Sequence, residues 1–283
     1  RDGITLAMPL IIIGSFFMIL ATGFAIPPFE AWLTDAGISA YLYKGSDSSF
    51  GLVGLIASFG IAYSMTKQYG VDGVPSGIVS LSTFMVVTPF VSGEAGSGMP
   101  TTYMAAQGLF VAIVLGLING FVYQWFINHN IQIKMPESVP PAVSKSFSAI
   151  LPGAVLITGW LIVYSVLDAL GLPNLHMIAK TVLGTPLGLL GNNLPGVIVL
   201  VLCCSCLWFV GLHGGNIVNK IMEPIWLANL SENADAHKAG EAMEHIFTTP
   251  FMDNFVYIGG AGATIGLVIA LAWFARRKKA SKQ

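Results

Sequence analysis

Apolar runs of the kind that cross a bilayer recur along the whole chain, at residues 4–26, 50–65, 74–91, 101–127, 151–170, 194–212 and 246–274, the second of them short for a span. A spanning helix needs about 20 predominantly apolar residues, because no water in the hydrocarbon can satisfy a backbone amide and every one must bond within its own helix. The runs therefore predict an all-α fold, a polytopic transmembrane helical bundle. Charge agrees: only 10% of the residues are charged, against about 25% in an ordinary soluble domain, and the mean hydropathy is +0.74. A formal net charge of −1 leaves no basic surface for a nucleic acid. Cys203, Cys204 and Cys206 share one apolar run with no His or acidic residue at ligand spacing, so they are read as small hydrophobes, with no metal or cofactor expected.

The segments between the runs are of two kinds. Residues 134–150 are too polar to span, yet Val139, Val143, Phe147 and Ile150 recur at helical spacing opposite Ser144, Lys145 and Ser148. This predicts an amphipathic helix at the membrane interface, opened by Pro140 and Pro141. Residues 175–190 are broken by Gly184, Pro186 and Gly188 and predict a second interfacial or re-entrant piece. The shift at Lys134 divides the chain into an N-terminal bundle, 1–133, and a second half, 134–283. Gly116 and Gly120 form a GxxxG pair suited to close helix packing. Residues 230–245 predict a short solvated helix or loop with Asn233 as its N-cap, which makes His237 and His245 poor ligand candidates. Arg276, Arg277, Lys278 and Lys279 place the end of the last run in the cytoplasm by the positive-inside rule. Arg1-Asp2-Gly3 is not a translation start, and the chain is expected to be a fragment of a longer protein. The first run is not a signal peptide, lacking a small-residue cleavage site and being followed by further spans.

Chemistry concentrates in LWFVGLHGGNIVNKIMEP, residues 207–224. With Gly214 and Gly215 in helical geometry, His213, Asn216, Lys220 and Glu223 follow at steps of three, four and three and share one face. Ile217, Val218, Ile221 and Met222 take the other side. An ionisable group at the bilayer centre costs at least about 2.5–3.5 kcal/mol unless it faces a wet cavity or a partner. The stripe therefore points to a broken helix whose end and side chains line a polar site, with Gly211, Gly214 and Gly215 allowing the break. The alternative is that the chain leaves the membrane at Gly211 and His213 is interfacial. Asp253 and Asn254, followed by the glycine run from Gly259 and Gly260, form a second polar element beyond the charged turn. Neither GxGxxG nor a Walker lysine is present. The two elements make a hairpin whose carboxylates, amides and imidazole suit sugar hydroxyls, with Trp208 or Trp226 offering a ring face.

Three motifs in order, KMPESVPPAVSKSF at 134–147, WFVGLHGGNIV at 208–218 and TPFMDNFVYIGGAGATIGL at 249–267, carry a resemblance over most of the chain. It resembles enzyme IIC, the membrane component of the bacterial phosphoenolpyruvate-dependent sugar phosphotransferase system, in its lactose, cellobiose and diacetylchitobiose family. The resemblance implies a multi-pass protein of the bacterial cell membrane, forming a homodimer through its N-terminal bundle. Its second half would bind a disaccharide and translocate it with phosphorylation of the 6-hydroxyl. The phosphoryl group would come from a cysteine of a phosphorylated enzyme IIB partner, which none of the three cysteines here represents. It makes His213 the residue beside the reacting hydroxyl. Gly214, Asn216, Lys220, Asp253, Asn254, Gly259 and Gly260 are the candidate sugar-binding residues. The family's later Asn-Glu-Pro motif, which supplies an acidic partner to the histidine, is not reached. Glu223-Pro224 lacks the preceding Asn. From the residues alone, an ion-coupled secondary transporter using His213, Glu223 and Asp253 as a relay is the competing class. An intramembrane metallohydrolase is disfavoured by the absence of HExxH.

Overall fold

The computed structural model describes residues 2–93, 96–136, 138–209, 214–257 and 273, almost wholly as helix. The chain forms two compact units, Arg1–Leu183 and Gly184–Gln283. The sequence division at residue 134 falls inside the first.

In the first unit, α1 (Asp2–Thr5) and α2 (Met8–Ala21) occupy the first apolar run. The helix stops short of the run's end because Gly23 and Phe24 adopt positive φ, and Pro27 and Pro28 then open α3 (Pro27–Asp35). α4 (Ile38–Asp47) leads through a short 3₁₀ turn into α5 (Val53–Gln68), the centre of the unit, against which α1, α6 (Gly73–Val87) and α8 (Leu109–Asn128) pack. Between α6 and α8 the glycine-rich loop forms a small antiparallel hairpin, β1 (Val91–Gly93) with β2 (Gly96–Gly98). The fourth run is not one helix: α7 (Thr101–Met104) ends at Ala105, which is extended, before α8 begins.

The α5–α8 contact follows from the GxxxG pair. A Cβ at Gly116 would meet the Ile61 side chain at 2.6 Å and one at Gly120 would meet Met65 at 2.7 Å, so only glycine lets the two helices approach this closely. A buried polar network crosses the same region. Asn119, fully buried, donates to the hydroxyls of Thr83 (2.7 Å) and Ser80 (3.2 Å) and accepts from the indole of Trp160 (2.8 Å). Ser58 bonds Ser80 at 2.9 Å, and Thr66 donates to Ser76 at 2.8 Å. With α10 (Ile150–Ala169) carrying Trp160, four helices are tied through one set of satisfied groups. The amphipathic helix appears as α9 (Pro141–Ser148), with its proline in the first turn. α11 (Leu175–Ala179) is held by buried His176, which bonds Thr88 at 2.9 Å, stacks on Tyr103 and meets Phe84 edge-on. A π-turn, Lys180–Gly184, ends the unit.

The second unit starts with α12 (Thr185–Gly191), the end of a helical stretch Leu175–Gly191 that is bent by 86° from Leu194–Trp208 of α13 (Leu194–Phe209), the sharp break of a broken span or a re-entrant element. α14 (Gly214–Ala239) follows, then an extended segment, α15 (Thr249–Phe251) and a second π-turn, Met252–Val256. Here the structure corrects the expectation of a separate helix capped by Asn233. α14 continues through Pro224 to Ala239, because residues 224–229 are buried on every side and packing outweighs the proline. It ends where Gly240 takes φ +72°, with Gly240 and Glu241 N–H bonding the carbonyls of His237 and Ala236.

Among the described residues, Ile38–Gln68, Ala106–Asn128 and Val143–Ala169 are long and apolar enough to cross a membrane, and the bent pair provides a fourth candidate. α2 and α6 are shorter apolar helices. The molecule is a helical membrane protein. Most of the seventh run lies outside the described residues.

Candidate functional site

The polar elements predicted from sequence belong to the second unit, and their placement starts from glycine. Gly214 and Gly215 are buried, and a Cβ on Gly214 would fall onto the backbone carbonyl of Cys204. α14 therefore begins in direct backbone contact with α13, which a larger residue would prevent. His213 immediately precedes this helix and lies outside the described residues, as do Gly259 and Gly260. Asn216 and Lys220 occupy the first two turns of α14; their side chains are not described. The expected helical passage through the two glycines is observed. The apolar side splits: Val218 and Met222 are buried, whereas Ile217 and Ile221 are exposed.

The return segment is bound to α14 by amides. Asn219 accepts a hydrogen bond from the Tyr257 hydroxyl at 2.8 Å. Asn229 donates to the Phe247 carbonyl at 2.7 Å and to Asn192 at 2.9 Å. Asn233 clasps the backbone of His245 from both sides, donating to its carbonyl (2.7 Å) and accepting its N–H (3.1 Å). The His245 ring meets Glu232 at 2.8 Å. Asn219, Met222, Trp226, Asn229 and Asn233 follow at steps of three, four, three and four, one helical face. The Asn219–Tyr257 bond matters most for the site. Asn219 lies one residue before Lys220 and three after Asn216, and Tyr257 two before Gly259, so the bond draws the two motif-bearing segments together.

Asp253 and Asn254 sit in the π-turn that leads to Tyr257, both exposed. Asn254 is engaged locally, donating to the Pro250 carbonyl at 2.8 Å. Glu223 is half-buried on α14. Trp226 is 2% exposed and packed within the unit, so its ring offers no face to a ligand; Trp208 is exposed. The Trp226 indole N–H and the Thr249 hydroxyl are buried with no hydrogen-bond partner among the described residues, two polar atoms able to receive a water or a ligand hydroxyl. An open cavity of about 690 Å³ in this unit is walled by Val197, Val201, Phe247, Phe251 and Val256, with the amides of Asn192 and Asn193 at its edge. None of the described candidate residues lines it, and the walls described are mostly apolar.

Sequence reading missed Asn219, Asn229, Asn233 as a clasp, and Tyr257. The three asparagines were legible as amides on one helical face, but their partners lie 12 to 38 residues away and have no signature of spacing.

The family model described as "Phosphotransferase system, EIIC" matches residues 1–283. The chain is 41% identical to the lichenan permease IIC component of Bacillus subtilis (strain 168) over 99% of its own length and 64% of that protein. It is 37% identical to the cellobiose-specific EIIC component of Geobacillus stearothermophilus, covering 99% of this chain and 65% of that one. The crystal structure of the transporter ChbC, the IIC component from the N,N'-diacetylchitobiose-specific phosphotransferase system, superposes with a TM-score of 0.86 at 36% identity, over 100% of this chain and 68% of that chain. The chain thus spans about two thirds of the length of these relatives.

Proposed function

The chain belongs to the phosphotransferase system EIIC family, and from that premise we propose that the protein it represents is a sugar permease, translocating a disaccharide of the cellobiose, diacetylchitobiose or lactose type coupled to phosphorylation of its 6-hydroxyl. The observation that carries this reading is the clasp between Asn219 and Tyr257, which holds the segment leading to Gly259 and Gly260 against the helix that begins after His213. In this reading His213 lies beside the reacting hydroxyl as a general base, an effect typically worth about 10²–10⁴ in rate. Gly214, Asn216, Lys220, Asp253, Asn254, Gly259 and Gly260 line the sugar. The larger part of the barrier is lowered by holding the hydroxyl in line with the incoming phosphoryl group. The donor is a cysteine of a phosphorylated enzyme IIB partner. The names of the relatives, for lichenan, cellobiose and diacetylchitobiose components, support the substrate class.

Residues 1–133 supply the contact of a homodimer, residues 134–283 hold the sugar, and the Arg276–Lys279 end faces the bacterial cytoplasm. Occlusion of the sugar followed by rigid movement of the sugar-holding elements gives alternating access. The test is formation of sugar 6-phosphate by the full-length protein with phosphorylated enzyme IIB, screened over cellobiose, diacetylchitobiose and lactose. One of these is expected to be phosphorylated, with a rate reduced at least about 10²-fold in His213→Ala. A His213→Ala protein that phosphorylates normally removes His213 from the site.

A further inference from the structure

The amphipathic helix α9 is tied to the start of α6 by one ion pair. Lys145 donates to Asp72 at 2.8 Å, and the other oxygen of Asp72 accepts the Val74 N–H at 3.2 Å, capping α6. Neither charge is spent. Their side chains are 61% and 38% exposed, an ammonium has three donors of which one is used here, and a carboxylate has about four acceptor positions of which two are used. The pair stands at the mouth of a groove of about 360 Å³ whose other walls are Val74, Pro75, Ile78, Val79, Ser146 and Ala149. Val79 forms its floor, packed with Tyr123 and Leu156, while Val74 and Ile78 are open to the outside at 47% and 58%. A charged mouth therefore continues directly into an open apolar trough.

The level of this groove in the membrane follows from the helices around it. α5 ends at Gln68, α6 begins at Gly73, α8 ends at Asn128 and α10 begins at Ile150, so four apolar helices terminate at this face. Exposed Tyr69 and Trp125 sit at the same helix ends, as aromatic side chains do at headgroup depth. The polar mouth lies with the headgroups and the trough runs into the acyl region.

We propose that this groove is a binding site for a phospholipid with a zwitterionic, primary-ammonium headgroup, its phosphate on Lys145, its ammonium on Asp72 and one acyl chain along Val74 and Ile78. Charge complementarity selects this occupant. An anionic headgroup would bring its phosphate to Lys145 with no cation to offset the Asp72 carboxylate beside it. A choline headgroup carries no N–H to give the carboxylate. An ethanolamine headgroup places a cation two carbons from its phosphate and matches an anion and a cation held side by side. The bound lipid would bridge α9 to α6 and fix the amphipathic helix against the bundle.

Native mass spectrometry of the full-length protein, stripped of lipid and titrated with phosphatidylethanolamine, phosphatidylcholine and phosphatidylglycerol of identical acyl chains, tests this. The wild type is expected to retain phosphatidylethanolamine at a concentration at least about fivefold lower than either other lipid. The double substitution Asp72→Asn, Lys145→Met is expected to abolish that preference. Ile78→Trp, which fills the trough and leaves the ion pair in place, is expected to reduce retention of all three. Equal retention of the three lipids by the wild type, an undiminished preference in the double variant, or undiminished retention in Ile78→Trp overturns the proposal.

Discussion

Tyr257 and Asn219 meet through a single hydrogen bond, and that bond joins the two segments proposed to hold the sugar. Tyr257→Phe removes the hydroxyl and leaves the aromatic packing. It is expected to weaken sugar binding by the full-length protein about fivefold, the worth of one such bond, while costing no more than about 1 kcal/mol of stability. Titration calorimetry with the accepted disaccharide measures this, and unchanged affinity would show that the clasp does not position the site. Asp72 is a second residue whose chemistry can be followed. The Lys145 ammonium and then the Val74 N–H hold its carboxyl below the usual carboxylate range. A depressed folded pKa stabilises the fold at pH values above the unfolded pKa, and that contribution disappears as pH falls through the folded value. Because both groups are exposed, the pair is worth at most about 1 kcal/mol and is screened by salt. The difference in thermal midpoint between the wild type and Lys145→Met is therefore expected to shrink as pH is lowered from 7 towards 3.

Helices of this protein are held by two different means. α5 and α8 touch through glycine, and the predicted pair at Gly116 and Gly120 is where their side chains interlock with Ile61 and Met65. Gly116→Leu puts a branched side chain where even a Cβ sits 2.6 Å from Ile61, and overpacking of this kind costs about 1–3 kcal/mol. A fall in the yield of monodisperse protein is the expected readout. α6, α8 and α10 are joined instead by the amide of Asn119. Asn119→Ala leaves the Trp160 indole and the Thr83 hydroxyl without this partner at a cost of about 1–3 kcal/mol. Pairing it with Trp160→Phe should recover part of that loss, since the orphaned donor is then also removed. Thermal unfolding in detergent of the two single variants and the double variant measures the coupling.

At the scale of the whole molecule, the energy source separates the proposed function from its competitor. Uptake by vesicles containing the full-length protein is expected to require phosphorylated enzyme IIB and to persist when proton and sodium gradients are collapsed. Uptake that needs a gradient and no phosphoryl donor would instead assign His213, Glu223 and Asp253 to an ion relay. The compact units divide at Leu183 and Gly184, whereas the sequence changes character at Lys134. The reason is packing: α10 carries Trp160 to Asn119 and Leu156 to Val79 and Tyr123, so the chain beyond residue 134 still completes the first core.

Hydropathy and local spacing by themselves determined the helical membrane class, the amphipathic α9, the glycine contact of α8 and the helical passage through Gly214 and Gly215. Each depends on residues within two turns of one another, where helical geometry fixes which side chains share a face. Family resemblance added the place of His213 beside the reacting hydroxyl and the phosphorylation chemistry. Tertiary structure alone decided that α14 runs past Pro224, that Asn233 clasps His245 instead of capping a helix, that Trp226 is buried, and that Lys145 finds Asp72. It also decided which side of each apolar helix is core: α8 buries ten residues and α10 three, although both read as equally apolar runs. Lipid and protein interior are equally apolar, so hydropathy does not distinguish the face that meets a neighbour from the face that meets the bilayer.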